Sequence, residues 1–210
     1  MDYKIRSAVL PIIVVNVAVF MLQIFLGSVF TESFMLISSD ILSRPWIIIT
    51  SMFLHASFNH IFYNMYGLFL FGAVLEQRIG PKRFLFVYFL SGVFAAILSS
   101  FFYERALGAS GAIMGVIGAL IVLMPELRLL FLFIVPMPLW FAGIIYALID
   151  LFGVFFPSGV GNIAHLAGMG LGLLYGLYLK KQKKRFDRKF SKKKHLESVD
   201  VEEYLKTGRI

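Results

Sequence analysis

The sequence predicts an all-α polytopic membrane protein, built as a bundle of six transmembrane helices. Three observations predict it. Of the 210 residues, 59% are hydrophobic and only 15% are charged, long uncharged segments recur along the chain, and the positive charge is concentrated at one end. A soluble domain carries about a quarter charged residues, so this composition excludes a soluble globular enzyme, and it equally excludes intrinsic disorder. The absence of cysteine excludes disulfides and a cysteine nucleophile.

Charged residues and prolines divide the chain into its predicted spans. A spanning helix needs about 20 mostly apolar residues, and the segments that fit are 8–30, 51–75, 84–103, 108–124, 137–154 and 162–179. We expect 129–135 to be an apolar interfacial connection, because Pro136 and Pro138 suit only the first turn of a helix. The predicted domains are a six-helix membrane core over 1–179 and a basic tail over 180–210.

The distribution of charge predicts which helix ends lie together. Residues 1–179 carry 8 Lys and Arg against 7 Asp and Glu, whereas 180–210 carry 12 against 5. With six spans, the tail lies on the same side as Lys4, Arg6 and the basic turn at 77–83, and the positive-inside rule makes that side cytoplasmic. We therefore expect a plasma-membrane protein with both termini in the cytoplasm. The tail is expected to contact anionic lipid headgroups rather than nucleic acid.

Polar side chains concentrate in the outer part of three predicted spans. The second span carries His60 and Asn64, the fourth begins near Ser110, and the sixth begins near His165. Such groups are costly in a bilayer unless they face the bundle interior or a water-filled cavity. All three spans enter from the extracytoplasmic side, so these groups share a similar depth and predict a site that opens to that side.

Glycines predict how two of these helices meet. Gly111 and Gly115 form a GxxxG pair in the fourth span, and Gly168 and Gly172 form another in the sixth. Small residues allow membrane helices to approach closely. Packing the two glycine faces together would bring the serine and the histidine at their outer ends within hydrogen-bond reach.

A serine beside a histidine suggests a nucleophile and its base. We expect Ser110 to be the nucleophile and His165 the general base of a Ser–His dyad. His60 and Asn64 lie one helical turn apart, and together with the backbone N–H of Ser110 they form the predicted oxyanion hole. Asp150, the only carboxylate within a predicted span, is interpreted as structural or interfacial.

Each residue also has an ordinary structural explanation when taken singly. A lone intramembrane serine usually bonds its own backbone, so a catalytic site is indicated only because the four groups occur together. Two other functions stay open: recognition of membrane helices without catalysis, and transport along a polar path, although the inner halves of the spans are apolar. His55 is expected to brace the first outer loop, with Asn59 as its partner. No HExxH zinc pattern is present.

The combined pattern resembles the rhomboid intramembrane serine proteases. Three segments carry the resemblance, in this order on the second, fourth and sixth spans: His55-x4-His60-x3-Asn64, Gly108-Ala109-Ser110-Gly111 and Ala164-His165-x2-Gly168-x3-Gly172. Two further segments also look like family features: Arg44-Pro45-Trp46 and Glu76-Gln77-Arg78-Ile79-Gly80. The likeness covers about residues 45–178.

The resemblance implies a six-helix, rhomboid-like core with Ser110 as nucleophile, His165 as base, and His60 and Asn64 in the oxyanion hole. It implies cleavage of transmembrane helices in other membrane proteins, often after a small residue, with no cofactor or metal. It also implies that the fifth span and the loop after it gate the site, and that inactive relatives usually lack the serine or the histidine. One departure is Met114, where the family often has an aromatic residue. A thioether can contact an imidazole, so we expect a softer orientation of His165 rather than loss of activity.

Overall fold

The computed structural model describes residues 7–131, 135–156 and 159–190, and this part of the chain is predominantly helical. Its helices are α1 (Val9–Phe34), α2 (Ile47–Thr50), α3 (Phe58–Gly67), α4 (Ala73–Ile79), α5 (Pro81–Ser99), α6 (Ser110–Leu123), α7 (Leu139–Phe155) and α8 (Asn162–Phe190). A π-helical segment, Leu68–Gly72, joins α3 to α4. Helical structure is therefore continuous over 58–79.

Four short strands add two small antiparallel sheets, so the described chain is not entirely helical. β1 (Leu36–Ile37) pairs with β2 (Arg105–Ala106), which ties the loop after α1 to the loop after α5. β3 (Arg128–Phe131) pairs with β4 (Val135–Pro138). Part of the connection predicted over 129–135 is thus a β-hairpin, and α7 begins directly after it. Residues 132–134 of that connection lie outside the described residues.

Within the described residues, three helical segments are long and apolar enough to cross a membrane by length and composition: Val9–Phe34, Pro81–Ser99 and Asn162–Arg185. α6 and α7 are apolar but shorter. The helix predicted to start at residue 51 begins later, because a 3-10 turn occupies Ser51–Phe53. The Ser57 side chain accepts a hydrogen bond from the His60 N–H and so caps the start of α3. α8 continues beyond its predicted end at 179.

Large apolar side chains point outward from the bundle along α1 and α7. Those exposed on α1 include Val14, Ile24, Phe25 and Val29, and those on α7 include Leu148, Leu151 and Phe152. Soluble proteins rarely expose apolar surface of this extent. The outward surface therefore suits lipid, as the composition predicts.

The two ends of the bundle differ in which helix termini lie there. Ser7 donates a hydrogen bond from its hydroxyl to the Glu76 carboxylate at 2.7 Å, and the backbone N–H of Ala8 donates to the same carboxylate. The start of α1 and the end of α4 therefore lie together. α3, α6 and α8 all begin at the opposite end of the bundle. Lys4, Arg6 and residues 191–210, on which the predicted charge distribution partly rests, lie outside the described residues.

Candidate active site

The close approach of α6 and α8 depends on glycine, as predicted. A Cβ added to Gly168 would lie 1.9 Å from the carbonyl oxygen of Gly111, and a Cβ added to Gly172 would lie 1.9 Å from the carbonyl oxygen of Gly115. No side chain fits at such distances, so only glycine permits this packing. The predicted meeting of the two glycine faces is confirmed.

This packing brings the predicted serine and histidine together. Ser110 is the first residue of α6, and His165 lies in the first turn of α8. The Ser110 Oγ and the His165 Nε2 are 2.7 Å apart. This distance suits a hydrogen bond that the serine hydroxyl donates to the imidazole.

A third group contacts His165, and sequence reasoning missed it. Asp150 Oδ1 lies 2.9 Å from His165 Nδ1, and Asp150 is only 4% exposed. A buried charge is costly unless it is paired, and here the imidazole is its partner. The signal was available in the sequence, because Asp150 is the only carboxylate within a predicted span and lies near the end from which α8 starts.

His60 lies against the loop that leads into α6. A Cβ added to Gly108 would lie 2.8 Å from both Cε1 and Nε2 of the His60 ring. Gly108 has a φ of +122°, a conformation that favours glycine. The Ala56 N–H donates to His60 Nδ1 at 3.3 Å, so in a neutral ring the hydrogen lies on Nε2. His60 thus offers an N–H donor on the side that faces Gly108.

Asn64 lies one helical turn after His60 and is buried. Its Nδ2 donates to the His60 carbonyl oxygen at 2.7 Å. An amide nitrogen carries two N–H groups, so a second donor is left for a bound group. The predicted pairing of these two residues on one face of α3 therefore agrees with the structure.

A cavity of about 1080 Å³ joins these groups at the end of the bundle where α3, α6 and α8 begin. The predicted site residues that line it are Ser110, His165, His60 and Asn64, and Met114 lines it as well. Asp150 is not among its lining residues. The carboxylate therefore lies behind the imidazole, on the side away from the cavity.

The loop before α3 is held in place by α1. The His55 N–H donates to Gln23 Oε1 at 2.9 Å, and Gln23 Nε2 donates to the His55 carbonyl oxygen at 3.3 Å. The His55 ring packs edge-on against the His60 ring, with centroids 5.0 Å apart. The His55 backbone therefore ties the loop before α3 to Gln23 of α1, whereas the expected bracing of the first outer loop with Asn59 stays a prediction.

The arrangement defines a class: an apolar helical membrane protein with a serine–histidine pair in a cavity at one end of the bundle. A family model described as "Rhomboid domain" matches residues 42–182. The chain belongs to the rhomboid family.

Several relatives are similar over parts of their length. "Rhomboid protein 1, mitochondrial" of Saccharomyces cerevisiae is 33% identical over 187 residues, which cover 84% of this chain and 54% of that protein. "RHOMBOID-like protein 6, mitochondrial" of Arabidopsis thaliana is 40% identical over 81 residues, 38% of this chain and 26% of that protein. "Rhomboid protease GluP" of Bacillus subtilis is 32% identical over 126 residues, 59% of this chain and 24% of that protein. The chain thus spans about half of the yeast relative and less of the others.

The family includes members without activity as well as proteases. "Inactive RHOMBOID-like protein 8" of Arabidopsis thaliana is 35% identical over 78 residues, 36% of this chain and 22% of that protein. Family membership therefore establishes the kind of protein, but it does not by itself assign catalysis to this chain.

The comparisons overturn the predicted location. Two of these relatives are named as mitochondrial, so the assignment to the plasma membrane, with cytoplasmic termini and an extracytoplasmic opening, is wrong. The reason is physical. Clustered Lys and Arg indicate which helix ends share a side of a membrane, but they carry no information about which membrane it is.

Proposed function

We propose that this rhomboid is an intramembrane serine endopeptidase that hydrolyses peptide bonds in or near transmembrane helices of other membrane proteins. One observation carries the proposal: the 2.7 Å contact between Ser110 Oγ and His165 Nε2, inside a cavity that can hold a substrate segment. A serine hydroxyl is a weak nucleophile until a neighbouring base accepts its proton. Similarity to a relative named as a protease supports the same function.

The reaction proceeds in two halves. The Ser110 Oγ attacks the scissile carbonyl carbon while His165 Nε2 accepts the hydroxyl proton, which gives a tetrahedral oxyanion. His165 then donates this proton to the leaving amine, and the C–N bond breaks to leave an acyl group on Ser110. In the second half, water attacks the ester, His165 accepts the water proton and returns it to the Ser110 oxygen, and the carboxylic product leaves.

Three donors serve the oxyanion in this proposal. His60 offers Nε2–H, Asn64 offers its second Nδ2–H, and Ser110 offers its backbone N–H. The last of these has no intrahelical acceptor, because the first N–H groups of a helix are unpaired within it. Removal of one such donor typically lowers turnover about 100- to 1000-fold.

We further propose that six helical segments cross the membrane, with 58–79 forming the second. α6 has 14 residues and at 1.5 Å per residue spans roughly 21 Å, less than the bilayer core of about 30 Å. If α6 ends at the far face, Ser110 lies several ångströms below the near face, as an intramembrane protease requires. The core over 1–179, and a tail over 180–210 that contacts anionic lipid, remain part of this proposal.

We place the protein in a mitochondrial membrane, on the strength of the two relatives named as mitochondrial. Fractionation of eukaryotic cells that express the full chain with a C-terminal tag tests this. Recovery with mitochondrial membranes supports the placement, and recovery with another membrane contradicts it.

The function is tested by cleavage of a panel of single-span helices in proteoliposomes. Wild-type protein is expected to cleave at least one of them, and Ser110→Ala and His165→Ala are expected to cleave none. Ser100→Ala is the matched control, because Ser100 follows α5 and bonds only the local Ile97 carbonyl in the described structure. Cleavage by Ser110→Ala at the wild-type rate would refute the proposal.

The second candidate is a catalytically silent protein that binds membrane helices. The inactive relative is the observation that favours it. A fluorophosphonate probe separates the two functions, since it reacts only with an activated serine. Labelling that is lost in Ser110→Ala supports the protease, whereas helix binding by unlabelled, inactive wild-type protein supports the binder.

A further inference from the structure

Asp150 is a buried carboxylate that the proposed dyad does not use. Its Oδ1 lies 2.9 Å from Nδ1 of His165, whose Nε2 lies 2.7 Å from the Ser110 hydroxyl. The imidazole is therefore held on both sides. The serine lines the cavity, while the carboxylate lies behind the ring and cannot meet a substrate there.

We propose that Asp150 is a positioning residue that completes a Ser110–His165–Asp150 triad in this chain. This inference rests on the proposed protease function. An ionised carboxylate only accepts hydrogen bonds, so the contact requires hydrogen on Nδ1. The lone pair then lies on Nε2, the nitrogen that must accept the serine proton, and the carboxylate stabilises the imidazolium that forms.

The position of the carboxylate depends on how α7 docks against α8. Gly153 follows Asp150 by three residues, and Asn162 precedes His165 by three. A Cβ added to Gly153 would lie 2.5 Å from Nδ2 of Asn162, which is 4% exposed. Because α7 and α8 run in opposite directions, the Gly153–Asn162 contact lies one helical turn from the Asp150–His165 contact. The close approach at Gly153 thus sets the reach of Asp150 to the ring.

Two substitutions at Asp150 separate positioning from packing. Asp150→Asn keeps the volume but can donate to Nδ1, which favours the unproductive tautomer, whereas Asp150→Glu keeps the carboxylate and adds a methylene. We expect Asp150→Asn to lower kcat about 100-fold or more, the low end of the contribution of general-base catalysis, and to leave KM unchanged. Asp150→Glu is expected to retain more activity than Asp150→Asn. The opposite order, with Asn at wild-type kcat, would refute the role. Glu104→Gln, an exposed carboxylate of the loop after α5, is the control for the lost charge.

Two further measurements do not depend on the stability of the Asp150 variants. Gly153→Ala leaves the carboxylate in place but places a methyl group against the Asn162 side chain, so kcat is expected to fall. Wild-type kcat in Gly153→Ala would show that the docking at Gly153 does not set the reach of Asp150. Nitrogen-15 NMR of histidine-labelled wild-type protein reads the tautomer directly. Hydrogen on Nδ1 of His165 agrees with the triad, and hydrogen on Nε2 of the neutral ring contradicts it.

The failure of this inference differs from failure of the protease function. If wild-type protein cleaves no helix, or if Ser110→Ala still cleaves, the function itself is wrong. If wild-type cleaves, Ser110→Ala does not, and Asp150→Asn matches wild-type kcat, then the protease stands and works as a dyad without Asp150.

Discussion

The carbonyl oxygen of Gly111 on α6 occupies the space that a side chain at Gly168 on α8 would need. An added Cβ would lie 1.9 Å from that oxygen. A helical carbonyl cannot rotate away as a side chain can, so the two helices would have to separate. His165 lies one turn before Gly168 on the same face of α8, and its distance to Ser110 depends on this approach.

Gly168→Ala is therefore expected to impair both stability and catalysis. Overpacking of this kind costs about 1–3 kcal/mol of unfolding free energy, and a displacement of about 1 Å at reacting groups can cost about 100-fold in rate. Thermal unfolding in detergent and the kcat for a cleaved helix measure the two effects. Gly170→Ala is the control, because an added Cβ there meets nothing within 4 Å. Wild-type kcat in Gly168→Ala would contradict the link between helix approach and catalysis.

Gly108→Ala is expected to reduce cleavage through the His60 ring. The added Cβ would lie 2.8 Å from Cε1 and Nε2 of that ring, which would displace the proposed oxyanion donor. Gly80→Ala separates this clash from backbone strain, since Gly80 also has a positive φ of +84° but an added Cβ there meets nothing within 4 Å, and Gly80 does not line the cavity. We expect a fall in kcat for Gly108→Ala that is much larger than that for Gly80→Ala. Equal falls would assign the effect to strain alone.

The features predicted from the sequence are those encoded within single helices. Uncharged runs predict helices, and the GxxxG pairs with their flanking residues predict that Ser110 meets His165, because the spacing fixes which residues share a face. The start of the second span was misplaced, because apolar composition cannot reveal that Ser57 caps a helix after a 3-10 turn. Hydropathy predicts the approximate length of an apolar segment, whereas the capping residue determines where the helix begins.

The partners in contacts that depend on the rotation of one helix against another were not predictable, even where one member, such as Asp150, stands out in the sequence. Asp150 contacts His165 where α7 and α8 pack closely at Gly153 and Asn162, and neither Gly153 nor Asn162 forms part of a recognisable spacing motif. Gln23 reaches His55 across 32 positions of sequence. A lone polar residue in an apolar span indicates that a partner exists, but it does not identify that partner.

Loss of one oxyanion donor should appear in turnover rather than in binding. Asn64→Ala removes the proposed Nδ2 donor, and we expect kcat to fall about 100- to 1000-fold with little change in KM, because the donor acts on charge that develops in the transition state. Asn59→Ala is the control, since Asn59 is exposed on the same helix. A rise in KM at unchanged kcat would show instead that Asn64 holds the substrate in its ground state.

Gln23→Ala should destabilise the loop that supports His60 without touching the reacting groups. The substitution removes both hydrogen bonds to the His55 backbone and leaves a buried N–H and C=O without these partners, at a cost of about 1–3 kcal/mol. His60 depends on this loop, because its Nδ1 accepts from the Ala56 N–H. We expect a lower unfolding temperature and a smaller loss of kcat than in Asn64→Ala. Leu26→Ala, at an exposed position on the same helix, should change neither the unfolding temperature nor kcat. A Gln23→Ala protein with wild-type stability would show that α1 does not hold the loop.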